Sequence, residues 1–310
     1  MNKPITLSQA IDGYLLYASA RRLSAHTIAD YTNTFRKFQE SLADDPPLAT
    51  ISADRIRAFL AAQTGVSKKT LLNYHTGLSA LWTWALREDL VDGHIMRCID
   101  RPRPEKRAIA PFTRDEVEAL LEACNYSRAY TRPGQRQCRN TRPTALRDRA
   151  ILLLLLDTGI RASELCGLSI NNVHLKERRI LVIGKGDKER SLRLSARTAQ
   201  ALWRYLNQRP DPPGNTTCLF LSEVGNPISR YALGRLISRL GRRAAIPNAH
   251  PHRFRHTFAI QFLRNGGNGY ALQELLGHST MEMVQVYLKL AQQDLDESHN
   301  RASPVDNWNL

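Results

Sequence analysis

Apolar residues recur every three or four positions through the first hundred residues, a spacing that predicts amphipathic helices. One such face carries Ile28, Tyr31, Phe35 and Phe38. Each predicted helix begins just after a residue whose hydroxyl can cap it, namely Thr6, Ser24, Ser52 and Ser67. No alternating strand pattern appears in this part of the chain. Residues 1–100 are therefore predicted to form a small bundle of four helices.

The segment 101–111 interrupts this pattern with arginine, lysine and proline and shows no apolar periodicity. Proline stiffens an exposed segment, so we expect a basic linker here. The remaining residues, 112–310, are long enough for a second domain of ordinary size. The sequence therefore predicts two domains joined by one linker.

The second domain begins with a capping-box pattern, Thr113 to Glu116, at the start of a helix. Residues 148–157 contain an unbroken apolar run, 150–156, and predict a buried helix. Between 173 and 194 the apolar period changes to two, which predicts a three-stranded antiparallel sheet. Helices are predicted again after residue 195, with a loop at 210–214, a short strand at 218–222 and a polar stretch of about twenty residues at the end. The predicted fold class is mainly α with a small antiparallel β-sheet.

The formal net charge of +15 and the pI of about 10.0 favour a polyanionic partner, either nucleic acid or an anionic membrane. Merely solvated charge is the alternative. The longest apolar run, 150–156, is too short to span a bilayer. The five cysteines form no CxxC pair, so neither a metal site nor a disulfide framework is indicated. We expect a cytoplasmic protein with free thiols.

The segment from Asn125 to Arg147 contains six arginines and no acidic residue. Uncompensated arginine in an irregular segment suits contact with phosphates, and Arg132, Arg136 and Arg139 are the candidates for it. Nothing in the segment is typical of a hydrophobic core. A disordered loop without a function is the alternative.

Residues able to bind and attack a phosphodiester concentrate towards the C-terminus. His252 and Arg255 are three positions apart, His278 follows in LGHS, and Tyr287 comes nine positions later. Arginine offers a planar fork of donors to phosphate oxygens, histidine exchanges protons near neutral pH, and tyrosine can act as a covalent nucleophile. Two further pieces lie upstream: TGIRASELCGL with Arg161 and Glu164, and VIGKGDKERSLRL with Lys185.

In their order and spacing these segments resemble the tyrosine recombinase, or phage integrase, family, closest in style to its Xer-type members. The resemblance implies that residues 1–100 are a core-binding domain that clamps DNA, and that 112–310 are the catalytic domain. Lys68, Lys69 and His75 are then candidate DNA contacts on the fourth helix. Arg253 is a further candidate. A solvated face is the alternative for each of them.

The resemblance also implies a role for each matched residue. Arg161 and Arg255 hold the scissile phosphate, and Glu164 supports the site. His252 handles a proton at the attacking oxygen, His278 bonds the phosphate or keeps the nucleophile in place, and Tyr287 is the nucleophile. Lys185 is the general acid for the leaving oxygen, with Lys188 of the same turn as the competing lysine.

The implied activity is site-specific recombination of double-stranded DNA through a 3′-phosphotyrosyl intermediate, without a cofactor, a metal or ATP. Strand exchange implies a homo-tetramer on two duplexes, and accessory proteins are possible. Two alternatives stay open. One is a type IB topoisomerase-like enzyme that relaxes DNA, and the other is a catalytically silent DNA-binding protein of the same fold.

Overall fold

The structure, a computed structural model, describes residues 4–104, 110–126, 140–184, 189–212, 214–278 and 280–291, together with residues 303 and 305. The chain divides into two compact units, Met1–Arg107 and Ala108–Leu310. The division falls inside the predicted linker, and the domain bounds given above stay a prediction. Among the described residues, no helix is both long and apolar enough to cross a membrane.

The first unit contains the four predicted helices, α1 (Leu7–Ala20), α2 (Ala25–Glu40), α3 (Ala53–Ala62) and α4 (Lys68–Arg87). Two short 3₁₀ helices, Leu48–Thr50 and Ile95–Cys98, accompany them. Each of the four α-helices is capped by the hydroxyl predicted from the sequence, which accepts a bond from a backbone N–H of the first turn. Capping satisfies donors that have no partner inside the helix.

The core of the first unit is rich in aromatic side chains. Phe35, Phe38, Phe59 and Trp82 are each at most 2% exposed. Phe38 packs edge-on against both Phe59 and Trp82, with ring centroids 5.3 and 6.4 Å apart. Edge-to-face contacts of this kind add specificity to the hydrophobic burial. The apolar face predicted on the second helix is therefore the one that enters the core.

The second unit is mainly helical, as predicted. Its α-helices are α5 (Arg114–Asn125), α6 (Ala145–Thr158), α7 (Ala162–Cys166), α8 (Ala196–Leu206), α9 (Arg230–Arg243), α10 (Pro251–Arg264), α11 (Gly269–Leu276) and α12 (Glu282–Ala291). Its strands are β1 (Val173–His174), β2 (Arg179–Ile183) and β3 (Glu189–Arg193), paired antiparallel in the order β1-β2-β3. The predicted fold class is confirmed.

Helix α6 is the central element of the second unit, since Ile151, Leu154 and Leu155 are fully buried. It packs against α5, α8 and α10. A smaller apolar cluster lies at the C-terminal side and joins α10, α11 and α12; its buried members are Ala259, Ile260, Leu272, Leu276, Val284 and Tyr287. The helices that carry predicted catalytic residues, α10 and α12, are therefore held together by a buried apolar cluster.

The two described ends of the arginine-rich segment are joined to each other. Tyr126 and Thr141 form an antiparallel bridge, and the backbone N–H of Arg142 donates to the carbonyl of Asn125 over 2.9 Å. The side chain of Arg142 also donates to the carbonyl of Cys124 over 3.0 Å. We call this arrangement the clasp. It closes the chain on either side of residues 127–139, which lie outside the described residues.

Two of the six arginines belong to the core, which corrects the expectation that this segment contributes nothing to it. Arg142 and Arg147 are 9% and 8% exposed, and both bind the fully buried carboxylate of Asp148. Arg147 also donates to the carbonyl of Leu221 over 2.8 Å. A buried carboxylate requires such partners, because burial of an unpaired charge is strongly unfavourable.

Candidate active site

The C-terminal end of α11 binds three arginines at three consecutive carbonyls. Arg190 Nε donates to Leu275 over 3.0 Å, and Arg255 Nη2 donates to Leu276 over 2.8 Å. Arg161 Nη2 donates to the carbonyl of Gly277 over 2.8 Å. The last carbonyls of a helix have no intrahelical partner and form the negative end of the helix dipole. We call these three carbonyls with their arginines the arginine cradle.

Arg255 is also bound by a second helix end. Its Nη1 donates over 2.8 Å to the carbonyl of Gly159, the residue that caps α6. Gly159 has φ +59°, and a Cβ there would lie 2.5 Å from the ring of Phe258, so the turn requires glycine. Arg255 is only 4% exposed. Burial, together with the charge of Arg161, lowers the pKa of Arg255 to about 10, so it stays protonated at neutral pH.

Glu164 lies between two members of the cradle. Its carboxylate accepts bonds from Arg161 Nη1 at 2.8 Å and from Arg190 Nη2 at 2.7 Å. Burial opposes ionisation of Glu164, but the bonds from Arg190 and from the backbone of Arg161 outweigh it and lower its pKa to about 2. Glu164 is therefore an anion throughout the physiological pH range.

His278 follows the cradle directly. Gly277 has φ +61° and turns the chain, so that the backbone N–H of His278 donates to the carbonyl of Gln273 over 3.0 Å. Burial and the charges of Arg255 and Arg161 lower the pKa of His278 to about 4. Its Nδ1 is buried without a hydrogen-bond partner among the described residues. The imidazole is therefore neutral at pH 7.

Tyr287 lies on α12 and is 6% exposed. Its ring is nearly parallel to that of His278, with the centroids 6.2 Å apart and the planes at 12°. On another side the ring of His256 lies 5.4 Å away, tilted by 50°. Burial raises the pKa of Tyr287, while Arg255 and Arg161 partly offset this increase. The structure therefore brings the predicted nucleophile close to both phosphate-binding candidates.

His252 lies in the first turn of α10 and is exposed. Helix α10 begins at Pro251, where His250 caps it by accepting a bond from the backbone N–H of Arg253. Partial desolvation and the charges of Arg255 and Arg161 lower the pKa of His252. Its exposed imidazole faces the solvent side of the site, where a substrate can reach it.

Arg253 does not fit the DNA contact expected for it. Its guanidinium donates to Glu116 Oε2 over 2.7 Å and to the carbonyl of Ala110 over 3.0 Å. It also lies over the ring of Phe112, 4.0 Å from the centroid, and the residue is 8% exposed. Because its donors are used inside the protein, we reassign Arg253 to fixing the start of α10 against the segment 110–116.

His75 requires the same correction. It is 7% exposed, and its Nε2 lies 3.3 Å from the carbonyl of Ile99, so it joins α4 to the end of the first unit. Lys68 and Lys69, in contrast, are exposed in the first turn of α4. The other residues predicted to act on DNA lie outside the described residues; they are Arg132, Arg136, Arg139, Lys185 and the competing Lys188.

Sequence reasoning missed Arg190. It lies on β3 with the same side-chain orientation as the buried Leu192 two residues later. An arginine at an inward position of a strand requires a buried acidic or carbonyl partner, and this signal was available in the alternation of the sequence. Among the described residues, no group of three or more His, Cys, Asp or Glu could hold a metal ion.

The chain resembles known families and proteins along most of its length. Residues 111–294 match the phage integrase family, and residues 11–89 match the phage integrase N-terminal SAM-like domain. The chain is 31% identical over 302 residues to tyrosine recombinase XerC of Alcanivorax borkumensis, covering 96% of this chain and 94% of that protein. It is 31% identical over 318 residues to tyrosine recombinase XerD of Mycobacterium leprae, covering 96% and 98%.

Solved structures show the same fold. The crystal structure of XerA recombinase matches with a TM-score of 0.52 and 27% identity, over 96% of this chain and 99% of that one. XerH site-specific recombinase, bound to palindromic difH substrate in a post-cleavage complex, matches with a TM-score of 0.72 and 22% identity. That match covers 95% of this chain and 84% of XerH, and at this identity it speaks for the fold alone.

The chain belongs to the phage integrase family. Its activity is that of a tyrosine-type site-specific recombinase. The family and the enzyme class predicted from the sequence are thereby confirmed. The comparisons do not favour either alternative, the DNA-relaxing enzyme or the silent DNA-binding protein.

Proposed function

We propose that this recombinase cuts and rejoins DNA through Tyr287. The phenol oxygen attacks a backbone phosphorus, the bond from phosphorus to the 5′ oxygen breaks, and a 3′-phosphotyrosyl bond forms. The phenol gives up its proton, and the leaving oxygen takes one to become a free 5′ hydroxyl. A 5′ hydroxyl from another duplex then reverses the same step. The number of phosphodiester-type bonds is conserved, so we propose that no ATP is consumed.

The arginine cradle is the observation that carries this proposal. Arg161 and Arg255 are bound to neighbouring carbonyls of one helix end, and Tyr287 is close enough for both charges to act on its phenol. Negative charge grows on the phosphoryl oxygens as the nucleophile attacks. Prepositioned donors stabilise that charge without reorganising during the reaction, which makes them the largest expected contribution to the rate.

The other roles follow from position and protonation. His252, exposed beside the cradle, is proposed to take the proton of the phenol, and the neutral His278 is proposed to bond a phosphoryl oxygen. Lys185 is proposed as the general acid for the 5′ oxygen. We propose that no metal or other cofactor takes part, because the arginines supply the positive charge that the transition state needs.

Double-stranded DNA is the proposed partner. The net charge of +15 supports it, and so do the fold relatives: XerH is bound to its difH substrate, and a lambda integrase dimer is bound to a core site. We further propose a homo-tetramer on two duplexes, since each exchange joins strands from two cut sites. Accessory proteins stay possible, and the cytoplasm is the compartment that we propose.

The decisive experiment is covalent capture on a duplex that carries a nick close to the scissile phosphate, so that the cut strand diffuses away and religation is blocked. Wild type should accumulate a protein–DNA adduct. Tyr287→Phe should bind DNA but form none, because it retains the packed ring and lacks only the phenol oxygen. Tyr270→Phe, at a position that is 72% exposed, is the matched control and should behave as wild type. Adduct from Tyr287→Phe at the wild-type level would reject Tyr287 as the nucleophile.

A further inference from the structure

Glu164 is bonded on both oxygens by two arginines. Oε1 accepts from Arg161 Nη1 at 2.8 Å and from Arg190 Nη1 at 3.0 Å. Oε2 accepts from Arg190 Nη2 at 2.7 Å and from the backbone N–H of Arg161 at 2.9 Å. A carboxylate offers about four acceptor sites, so these bonds occupy all of them. Arg190 makes the two-point contact that only a guanidinium can make.

The two arginines differ in exposure. The side chain of Arg190 is 14% exposed and that of Arg161 is 32% exposed. Their heads lie side by side over Gly277, since a Cβ there would be 3.3 Å from Arg190 Nη1 and 3.5 Å from Arg161 Nη1. The bonds of Arg161 to Glu164 and to Gly277 use two of the five N–H groups of its guanidinium. Arg161 therefore still has donors for a ligand.

Arg190 offsets the negative charge that Glu164 places beside Arg161. Glu164 is an anion in direct contact with an arginine that has to attract a phosphate, and by itself it would cancel the charge of Arg161. With Arg190 included, the three groups together carry a net charge of +1. Arg190 cannot be drawn away by a ligand, because Nε is bound to the carbonyl of Leu275 and both Nη atoms are bound to Glu164.

We propose that Arg190 is a positioning residue for Arg161. It supplies the counter-charge of Glu164 and fixes the carboxylate, so that Arg161 keeps one orientation and its attraction for a phosphate. Arg190 itself touches neither the substrate nor the reacting atoms. This inference rests on the proposed function of Arg161 as a ligand of the scissile phosphate.

The proposal predicts an unusual order of rates. In Arg190→Gln, Glu164 loses its main partner, and its negative charge then neutralises Arg161. Adduct formation should therefore slow roughly 100-fold, the loss expected when a catalytic group is misplaced. In the double variant Arg190→Gln with Glu164→Gln, the uncompensated carboxylate is gone as well. The double variant should therefore react about 10-fold faster than Arg190→Gln, a coupling of the size seen between contacting residues.

The experiment measures the single-turnover rate of adduct formation on the nicked duplex, with DNA affinity and thermal unfolding measured for each variant. Arg193→Gln is the control, because it removes an arginine from the exposed face of the same strand. It should leave the rate at saturating DNA unchanged. If Arg190 only held the strand in place, the two substitutions would do cumulative damage, and the double variant would be the slowest.

A double variant that reacts no faster than Arg190→Gln would overturn the proposal, and so would an Arg190→Gln rate equal to that of wild type. If Arg190→Gln does not fold, Arg190→Lys replaces it, with Arg190→Lys plus Glu164→Gln as the double variant. Lysine keeps the charge but loses the two-point contact, so its rate should lie below that of wild type, and an unchanged rate would contradict the proposal. Failure of wild type to form any adduct would reject the proposed function instead.

Discussion

Arg161 and Arg255 are bound to adjacent carbonyls of the same helix end, Gly277 and Leu276, each over 2.8 Å. The separation of the two guanidiniums is thereby tied to the spacing of one peptide unit, a rigid length. His278 is the next residue along the chain. The two arginines and the imidazole are consequently placed together by the turn that ends α11, although they come from three distant parts of the sequence.

Replacing Gly277 with alanine should slow adduct formation strongly, while the free energy of unfolding should fall only by the cost of the left-handed backbone. The left-handed backbone (φ +61°) costs a residue with a side chain about 1–2 kcal/mol, and the new Cβ would lie only 3.3 Å from Arg190 Nη1, beside Arg161. The matched control is Gly214→Ala, since Gly214 has φ +81° and open space around its would-be Cβ. Equal rate losses in the two variants, measured by single-turnover capture and thermal unfolding, would contradict the role given to this turn.

Lys185→Ala should slow cleavage of a normal substrate far more than cleavage of one with a bridging sulfur at the scissile 5′ position. Sulfur leaves well without a proton, so the absence of a general acid matters less. The measurement is the ratio of the two cleavage rates in each variant. Lys188→Ala is the control from the same turn. If Lys188→Ala shows the rescue by sulfur and Lys185→Ala does not, the two assignments must be exchanged.

Arg253→Gln should destabilise the protein without changing the salt dependence of DNA binding. The substitution leaves Glu116 and the carbonyl of Ala110 without their donor, which costs roughly 1–3 kcal/mol of unfolding free energy. The exposed Lys69 supplies the contrast. Lys69→Gln should leave stability within about 0.5 kcal/mol and flatten the slope of log K against log salt by about one unit.

A flatter salt slope in Arg253→Gln, together with an unchanged free energy of unfolding, would show that Arg253 contacts DNA as first expected. Chemical denaturation and binding titrations at several salt concentrations measure both quantities on the same preparations.

The free energy of unfolding should fall as the pH is lowered from 6.5 towards 4.5. His256 and His278 each have a pKa of about 4 in the folded protein, below the ordinary 6.5. Burial disfavours both charged forms, together with the charges of His252 and His250 at His256 and of Arg255 and Arg161 at His278. The unfolded chain therefore binds more protons in this range, and stability present above pH 6.5 is lost as the pH drops. Glu164, whose pKa falls from the ordinary 4.5 to about 2 on folding, adds to this loss mainly below pH 4.5.

His256→Gln should flatten this dependence, because it removes one of the two histidines whose pKa is lowered to about 4. His26→Gln is the control, since the side chain of His26 is 70% exposed. Urea denaturation at pH steps from 7 to 4.5 provides the test. If the free energy of unfolding depends on pH in the same way in wild type and in His256→Gln, folding does not lower the pKa of His256.

Changing Arg132, Arg136 and Arg139 together to glutamine should weaken binding about equally on cognate and scrambled duplexes. Contacts to phosphates carry no sequence information, and each lost contact should flatten the salt slope by about one unit. Titrations at several salt concentrations measure both effects. An unchanged slope would exclude DNA contact by these residues, and a loss confined to the cognate duplex would indicate that they contact bases.

The helices could be predicted because their signals are local. The side chains of Thr6, Ser24, Thr113 and Ser195 cap helices through bonds that reach only three residues along the chain. Apolar spacing then identified the faces that are buried. The order of the matched motifs likewise indicated which residues the structure assembles around the end of α11.

The roles of single arginines could not be predicted, because their partners are far away in sequence. Arg253 binds Glu116, 137 residues earlier, and Arg190 binds Glu164, 26 residues earlier. Alternation along the strand places Arg190 on the same face as the buried Leu192, but nothing in a local window identifies the partner of either arginine. The low exposure of Arg142 and Arg147 likewise depends on how α6 packs, which only the tertiary structure determines.

The clasp has a consequence for how this protein can change over evolution and in engineering. Its bonds join Tyr126 to Thr141 and Arg142 to Asn125, so the two described ends of the arginine-rich segment lie next to each other. The entropy of closing a loop grows only with the logarithm of its length. A change in the length of the chain between these two ends should thus leave the end of α11 unaltered, and the clasp is a natural place to graft a different segment onto the same recombinase.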